Sequence, residues 1–211
     1  MTAITIEKFA GKMNRLGYEA FLQAMRQARG DGNRNVELAH WLFHAVSHQD
    51  GDISVTLREL GLDRGRVLKD LGRAMDALQK NVTETPGISE RLADALNHAW
   101  TYATLFFGEA QIRTGHLLVA LLNDHALRRE IEQYSGVFAE MSAERIGAEA
   151  RSLWKGSEEE NLRPMDGAGI GAASAVIDGA GRILYRHAGP LVREDYQNRF
   201  LPELEKALAA E

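Results

Sequence analysis

Val36-Glu-Leu-Ala-His-Trp-Leu-Phe-His-Ala-Val46 and Ile112-Arg-Thr-Gly-His-Leu-Leu-Val-Ala-Leu-Leu122 superpose at an offset of 76 residues. His40 falls on His116, and the large apolar residues that follow fall on one another. The long helical stretches upstream align at an offset of 75, with Ala24 on Ala99 and Ala28 on Ala103. Two amphipathic helices align easily by chance. A long helix, a loop and a His-led apolar helix in the same order twice are a repeat, and repeats are read before any other fold signal. The expected fold is therefore mainly α: a pseudo-two-fold, duplicated four-helix unit, with repeats near 16–80 and 88–155.

Working outward, apolar residues recur every three or four positions through most of the first 155 residues. Ile6, Phe9, Ala10 and Met13 mark a short first helix, with Thr2 or Thr5 as its cap. Helices are expected over 16–29, 36–48, 54–60 and 63–79, and in the second half over 89–107, 112–122, 127–134 and 143–153. Gly30-Asp-Gly32 and Gly108 act as stops, and Asp63 as an N-cap. Each large apolar side chain buried contributes about 1.5–3 kcal/mol, and helices of about 12 residues are marginal alone. The helices exist by packing on one another.

Of 211 residues, 45% are hydrophobic and 26% charged, the balance of an ordinary globular protein. No stretch approaches the roughly 18 apolar residues that span a bilayer, and the N-terminus lacks a basic segment followed by an apolar one. A cytoplasmic setting is expected. Without cysteine there is no disulfide, thiolate nucleophile or thiolate metal site. A net charge of −5 gives no long-range attraction for nucleic acid.

Other chemistry finds no foothold. His40, His44 and His48 lie at i, i+4 and i+8, with His116 or His125 as further metal ligands, but His-Glu-x-x-His is missing. The shared repeat position of His40 and His116 points to a structural bond near a helix start, with His44 and His48 exposed. Asp50, Asp52 and Glu158-Glu-Glu160 read as solvated, so they do not split into acid and base. Asp50-Gly-Asp52 lacks a full calcium-loop pattern. Gly167-Ala-Gly-Ile-Gly171 follows no strand and opens no helix, and Ser174 and His187 make no triad. Neither an enzyme nor a cofactor is expected.

Phe9-Ala-Gly-Lys-Met-Asn14, Asn35-Val-Glu-Leu-Ala-His-Trp-Leu42, and Ala99-Trp-Thr-Tyr-Ala-Thr-Leu-Phe-Phe-Gly-Glu-Ala110 running on to Arg113-Thr-Gly-His-Leu-Leu-Val-Ala-Leu-Leu122 carry a family likeness. Over about residues 3–160 the chain resembles the double Clp repeat at the N-terminus of Hsp100/Clp unfoldases, and is most similar to the ClpV branch, the ATPase of type VI secretion. The likeness implies a recognition module that receives an amphipathic helix of a secretion-sheath subunit and hands it to AAA+ ATPase rings. No G-x-x-x-x-G-K-[S/T] occurs in the chain, so this sequence carries a receptor without the motor.

Helix-in-groove recognition is the implied mode. Ile6, Phe9 and Met13 on the first helix, with Leu92 and Leu96 on the opening helix of the second half, are the candidate groove residues; the alternative is that all five are core. Lys8, Lys12 and Arg15 either attract an acidic partner or form a solvated face.

Residues 156–173 open with an acidic run and drift into glycine, the composition of a linker. Residues 174–211 read as two strands around Asp178-Gly-Ala-Gly181, then an amphipathic helix over 192–210 bearing Leu201, Leu204 and Leu208. This tail resembles the closing β-β-α of thioredoxin-like proteins of cytochrome c maturation, without Cys-x-x-Cys and with Ala173 where that family keeps a cis-proline. At about 40 residues it is near the lower limit for folding alone. A second reading follows: a regulatory or structural helical protein whose groove is closed by its own tail, so that removing residues 165–211 raises peptide affinity. Two unrelated likenesses in one chain also fit a truncated or artificial chimera without activity.

Overall fold

Asn14 and Ser89 start a helix in the same way, 75 residues apart. The Asn14 side chain accepts from the Gly17 N–H at 2.8 Å, and the Ser89 hydroxyl from the Leu92 N–H at 3.2 Å. Each satisfies an amide that a helix start leaves without a partner. The computed structural model describes residues 6–167 and the strand residues 174–177 and 183–187, with side chains from 9 to 167. The expected caps at Thr2 and Thr5, the tail turn at 178–181 and the tail helix over 192–210 lie outside the described residues.

The first half runs α1 (Ile6–Lys12), α2 (Arg15–Gly30), β1 (Asn35–Val36), α3 (Leu38–Ser47), α4 (Asp52–Glu59) and α5 (Arg64–Asp76). The second runs β2 (Gly87–Ile88), α6 (Glu90–Thr101) with a π-helical extension (Tyr102–Phe106), α7 (Thr114–Asn123), α8 (His125–Tyr134), a 3₁₀ turn (Gly136–Glu140) and α9 (Ala143–Leu153). The bounds of α3 and α7 differ by 76 at both ends. Asp63 caps α5 through the Arg66 N–H, and Ser142 caps α9 through the Arg145 N–H. The duplication is therefore structural, down to the caps.

The halves are joined by an exchange. Val36, ahead of α3, pairs in parallel with Ile88, ahead of α6. Met13, ahead of α2, pairs in parallel with Ile112, ahead of α7. Each half thus lends the segment before its first helix to the segment before the second helix of the other, as a pseudo-two-fold requires.

Between them lies one apolar core. Residues Thr114 to Leu122 of α7 are all buried, the all-round burial of a central helix. Its counterpart α3 buries Leu38, Trp41, Leu42, Ala45 and Val46, and the Trp41 indole N–H donates to the Gly17 carbonyl at 3.1 Å.

Three expectations are corrected. The linker does not begin at 156. The chain divides into units Met1–Asp166 and Gly167–Glu211, and Ser157 and Glu159 are buried in the first. The acidic run misleads because one of its three carboxylates points inward. Asp52 is not a solvated loop residue either; it opens α4 and is fully buried. His44 and His48 are half-buried rather than exposed, and His44 Nε2 lies 2.7 Å from Gln27 Oε1.

In the second unit, β3 (Ser174–Ile177) pairs antiparallel with β4 (Ile183–His187), Ser174 opposite His187 and Val176 opposite Tyr185, with a register shift between Val176 and Ile177. Among the described residues no helix is long and apolar enough to cross a membrane.

Candidate peptide-binding site

Helix α1 is seven residues long, too short to hold itself together in water. It lies against α6 and α2, and its apolar residues make that contact. Phe9 is 7% exposed, while Met13 in the following bridge and Leu92 and Leu96 on α6 are fully buried. The structure thus brings four of the five sequence candidates into one core cluster; the side chain of Ile6 lies outside those described. In this closed arrangement the four form the floor of an α1–α6 seam and present no open surface.

The rim is different. Trp100, one turn beyond Leu96, is half-buried, and Lys12 Nζ lies 5.6 Å from its ring centroid, a cation–π contact. Lys12 also pairs with Asp166 at 2.8 Å, and Arg15 with Glu19 at 3.6 Å. Neither is a free cation awaiting an acidic partner. Past Trp100 the helix widens into its π turn, a feature that often marks functional positions, and turns Leu105 and Phe106 outward at 83% and 60% exposure. A cavity of about 520 Å³ opens beside them, lined by Tyr102, Phe106, Val119 and Gly147 among others.

Beneath the seam is a polar cluster that sequence patterns did not reveal. The Arg113 guanidinium donates twice to Asp52, at 2.7 and 2.8 Å, and the Ser157 hydroxyl donates to the same carboxylate at 2.6 Å. Glu159 accepts from Asn14 Nδ2 at 2.7 Å, from the Asp52 N–H at 2.9 Å, from the Thr114 N–H at 2.7 Å and from the Thr114 hydroxyl. One carboxylate thereby caps the starts of α4 and α7 and holds the residue that caps α2. Burial, then the charge of Asp52, push the Glu159 carboxyl up to about 7, against the hydrogen bonds from Thr114 and Asn14. Burial works against the Arg113 charge, but the bonds and charge of Asp52 outweigh it and hold its pKa above the ordinary value.

The histidines are used as structure. His40 Nδ1 accepts from the Glu37 N–H at 3.0 Å and His116 Nδ1 from the Arg113 N–H at 3.3 Å. Among the described residues no three His, Asp or Glu side chains are grouped to hold a metal ion.

Duplicated helices, paired caps and exchanged bridges define the class: the chain belongs to the Clp repeat N-terminal domain family, whose model matches residues 12–134, more than half of it. Within that class it is similar to the AAA+ ATPase ClpV1 of Pseudomonas aeruginosa, 33% identical over 180 residues that cover 85% of this chain and 20% of that protein. The chain spans about a fifth of the length of the curated relatives it matches. The solved chain described in "Coevolution of the ATPase ClpV, the TssB-TssC Sheath and the Accessory HsiE Protein Distinguishes Two Type VI Secretion Classes" is 32% identical, with a TM-score of 0.73 over 76% of this chain and 99% of that one. A ClpV N-domain solved in complex with a VipB peptide shares the fold at 19% identity and a TM-score of 0.64, over 75% and 97% of the two chains. The tail has a separate relative: a thiol:disulfide interchange protein DsbE homolog of Paracoccus denitrificans, 89% identical over a 36-residue fragment covering 17% of this chain and 20% of that protein.

Proposed function

We propose that this domain is the recognition module of a ClpV-like unfoldase: it receives an amphipathic helix of a type VI secretion sheath subunit in the seam between α1 and α6 and presents it to AAA+ ATPase modules in the cytoplasm. The role assigned to these residues is binding and not catalysis, because they include no phosphate-binding loop.

One observation carries the reading. Helix α1 stands outside the duplication: where the first half has α1, the second has coil at residues 81–86. It is an added wall laid along α6, with an aromatic rim at Trp100 and an apolar floor of Phe9, Met13, Leu92 and Leu96. The related ClpV N-domain that was solved with a VipB peptide supports a peptide as the occupant.

Titration of the chain with a synthetic VipB peptide in a calorimeter tests it. The wild-type chain binds, and Trp100→Ala lowers affinity about ten-fold, or ~1.4 kcal/mol, with an unchanged circular dichroism spectrum. A wild-type chain that takes up no peptide overturns the proposal.

A further inference from the structure

The segment that leaves the helical unit is threaded back along the end of α1. The Glu158 N–H donates to the Asp50 carbonyl at 2.9 Å, and the Glu159 carboxylate is buried among its four donors. The chain then runs antiparallel beside Asn14, bridging to it at Pro164. The Met165 N–H donates to the Met13 carbonyl and the Asp166 N–H to the Gly11 carbonyl, both at 2.9 Å, while the Asp166 carboxylate pairs with Lys12. On the opposite side, the Asn14 N–H donates to the Ile112 carbonyl at 3.1 Å and the Ile112 N–H to the Lys12 carbonyl at 2.7 Å. Residues 11–14 are held between two partners.

The two ends of this strap differ in kind. Around Glu159 it is locked into the core. Met165 and Asp166 are exposed, Met165 at 47%, so the bonds they make to Met13 and Gly11 compete with water. A seven-residue helix has little stability of its own, and its position is set by what grips it. The floor of the α1–α6 seam is fully buried, so a helix entering there displaces α1, and an outward shift of α1 pulls on Gly11, Lys12 and Met13. Those are the residues the strap holds.

Resting on the receptor reading above, we propose that residues 157–166 form a clasp, anchored at Glu159 and releasable at Met165 and Asp166, whose opening is coupled to occupancy of the α1–α6 seam. Peptide capture then loosens Met165 and Asp166, and the receptor reports its state through this segment. Coupling of this kind is reciprocal: whatever factor the peptide contributes to opening, opening contributes to peptide affinity.

The structure supplies the test. A Cβ built on Gly11 lies 3.5 Å from the Asp166 Cβ, within the separation a disulfide spans. Gly11 is not among the positive-φ glycines, and the natural chain has no cysteine to compete. The double variant Gly11→Cys with Asp166→Cys, oxidised, fastens the clasp. Met165→Pro removes the donor to Met13 without altering α1 or α6. Titrated with a synthetic VipB peptide, the oxidised variant binds at least ten-fold more weakly than wild type and recovers on reduction. Met165→Pro binds several-fold more tightly. Hydrogen exchange at the Met165 and Asp166 amides rises when peptide is bound to the wild-type chain. Equal affinity of the oxidised and reduced forms, with the disulfide verified by mass, overturns the clasp while leaving the receptor intact. A wild-type chain that binds no peptide overturns the receptor reading and this one together.

Discussion

His40 and His116 hold the same post, each the third residue of its helix and each accepting with Nδ1 the N–H of the residue that caps that helix, Glu37 in one half and Arg113 in the other. His116 Nδ1 also faces the Gln111 carbonyl at 3.2 Å, whereas in His40 accepting at Nδ1 places the proton on Nε2. That nitrogen meets Asn33 Oδ1 at 3.0 Å in the first half; in the second it lies 3.7 Å from Glu109 and makes no hydrogen bond. Asn33 and Glu109 are themselves 76 residues apart, so even the partner position is duplicated. The second ring compensates by stacking on Phe107, centroids 4.5 Å apart.

From this follows the first stability prediction. His40 is fully buried with both nitrogens engaged. His40→Ala leaves a cavity and two orphaned polar groups, for a loss of about 2–4 kcal/mol. Burial lowers its pKa, against the charges of Glu37 and Asp31. A depressed folded value means the unfolded chain binds more protons, so this contribution is present above the ordinary histidine pKa and is lost as pH falls through the folded one. The difference in urea midpoint between wild type and His40→Gln isolates it: from pH 7 down to pH 5 the wild type loses stability relative to the variant.

Glu159 predicts the opposite slope. Its carboxyl titrates near 7 in the folded chain and near 4.3 when unfolded, so between those values the folded state binds more protons. The stabilisation is complete below the unfolded value and is lost as pH rises through 7, on the order of 3 kcal/mol in all. Because His40 titrates in an overlapping window with the other sign, the wild-type profile alone is uninformative. The difference between wild type and Glu159→Gln isolates it: the variant gains relative to wild type as pH goes from 4.5 to 7.5. A constant difference across that range rejects the assignment.

How much of this was legible in the sequence depends on the range of the interaction that decides it. Helices and caps rest on neighbours three or four residues away, and Asp63 and Ser89 announce theirs locally. Asn35–Val36, where the third helix is expected to begin, is instead the strand β1, and the helix starts at Leu38. The duplication is visible because α7 and α3 repeat an apolar pattern that burial on every side keeps narrow. Glu159 shows the limit. It sits between two solvent-facing glutamates, and what turns it inward is Asn14 and Thr114, 145 and 45 residues away. No periodicity records such a pairing. The same holds for Asp52, whose burial is made tolerable by an arginine 61 residues on. The groove candidates illustrate a third case: a stripe on α1 and a stripe on α6 predict contact with something apolar, and in the closed seam that something is each other.

One more residue is readable only against its repeat partner. Gly115 occupies the position of Ala39, and the second half has given up a methyl there. A Cβ on Gly115 runs into the six-membered ring of the Trp154 indole at Cζ2 and Cε2, an overlap that forces the indole to move. The ring has nowhere inexpensive to go: it is 4% exposed, its N–H donates to the Thr56 hydroxyl at 2.9 Å, Phe107 and His116 lie 5.5 and 5.7 Å away, and the Arg113 guanidinium lies over it at 5.4 Å. Alanine improves helix propensity by about 1 kcal/mol, whereas overpacking a fixed core costs about 1–3 kcal/mol. The second effect wins here because displacing Trp154 also breaks its hydrogen bond between α4 and α9. Gly115→Ala therefore lowers the melting temperature by several degrees, and the loss shrinks in a Trp154→Phe background, where the six-membered ring no longer reaches the added methyl. Additive losses in that double-mutant cycle would mean the two residues do not press on each other.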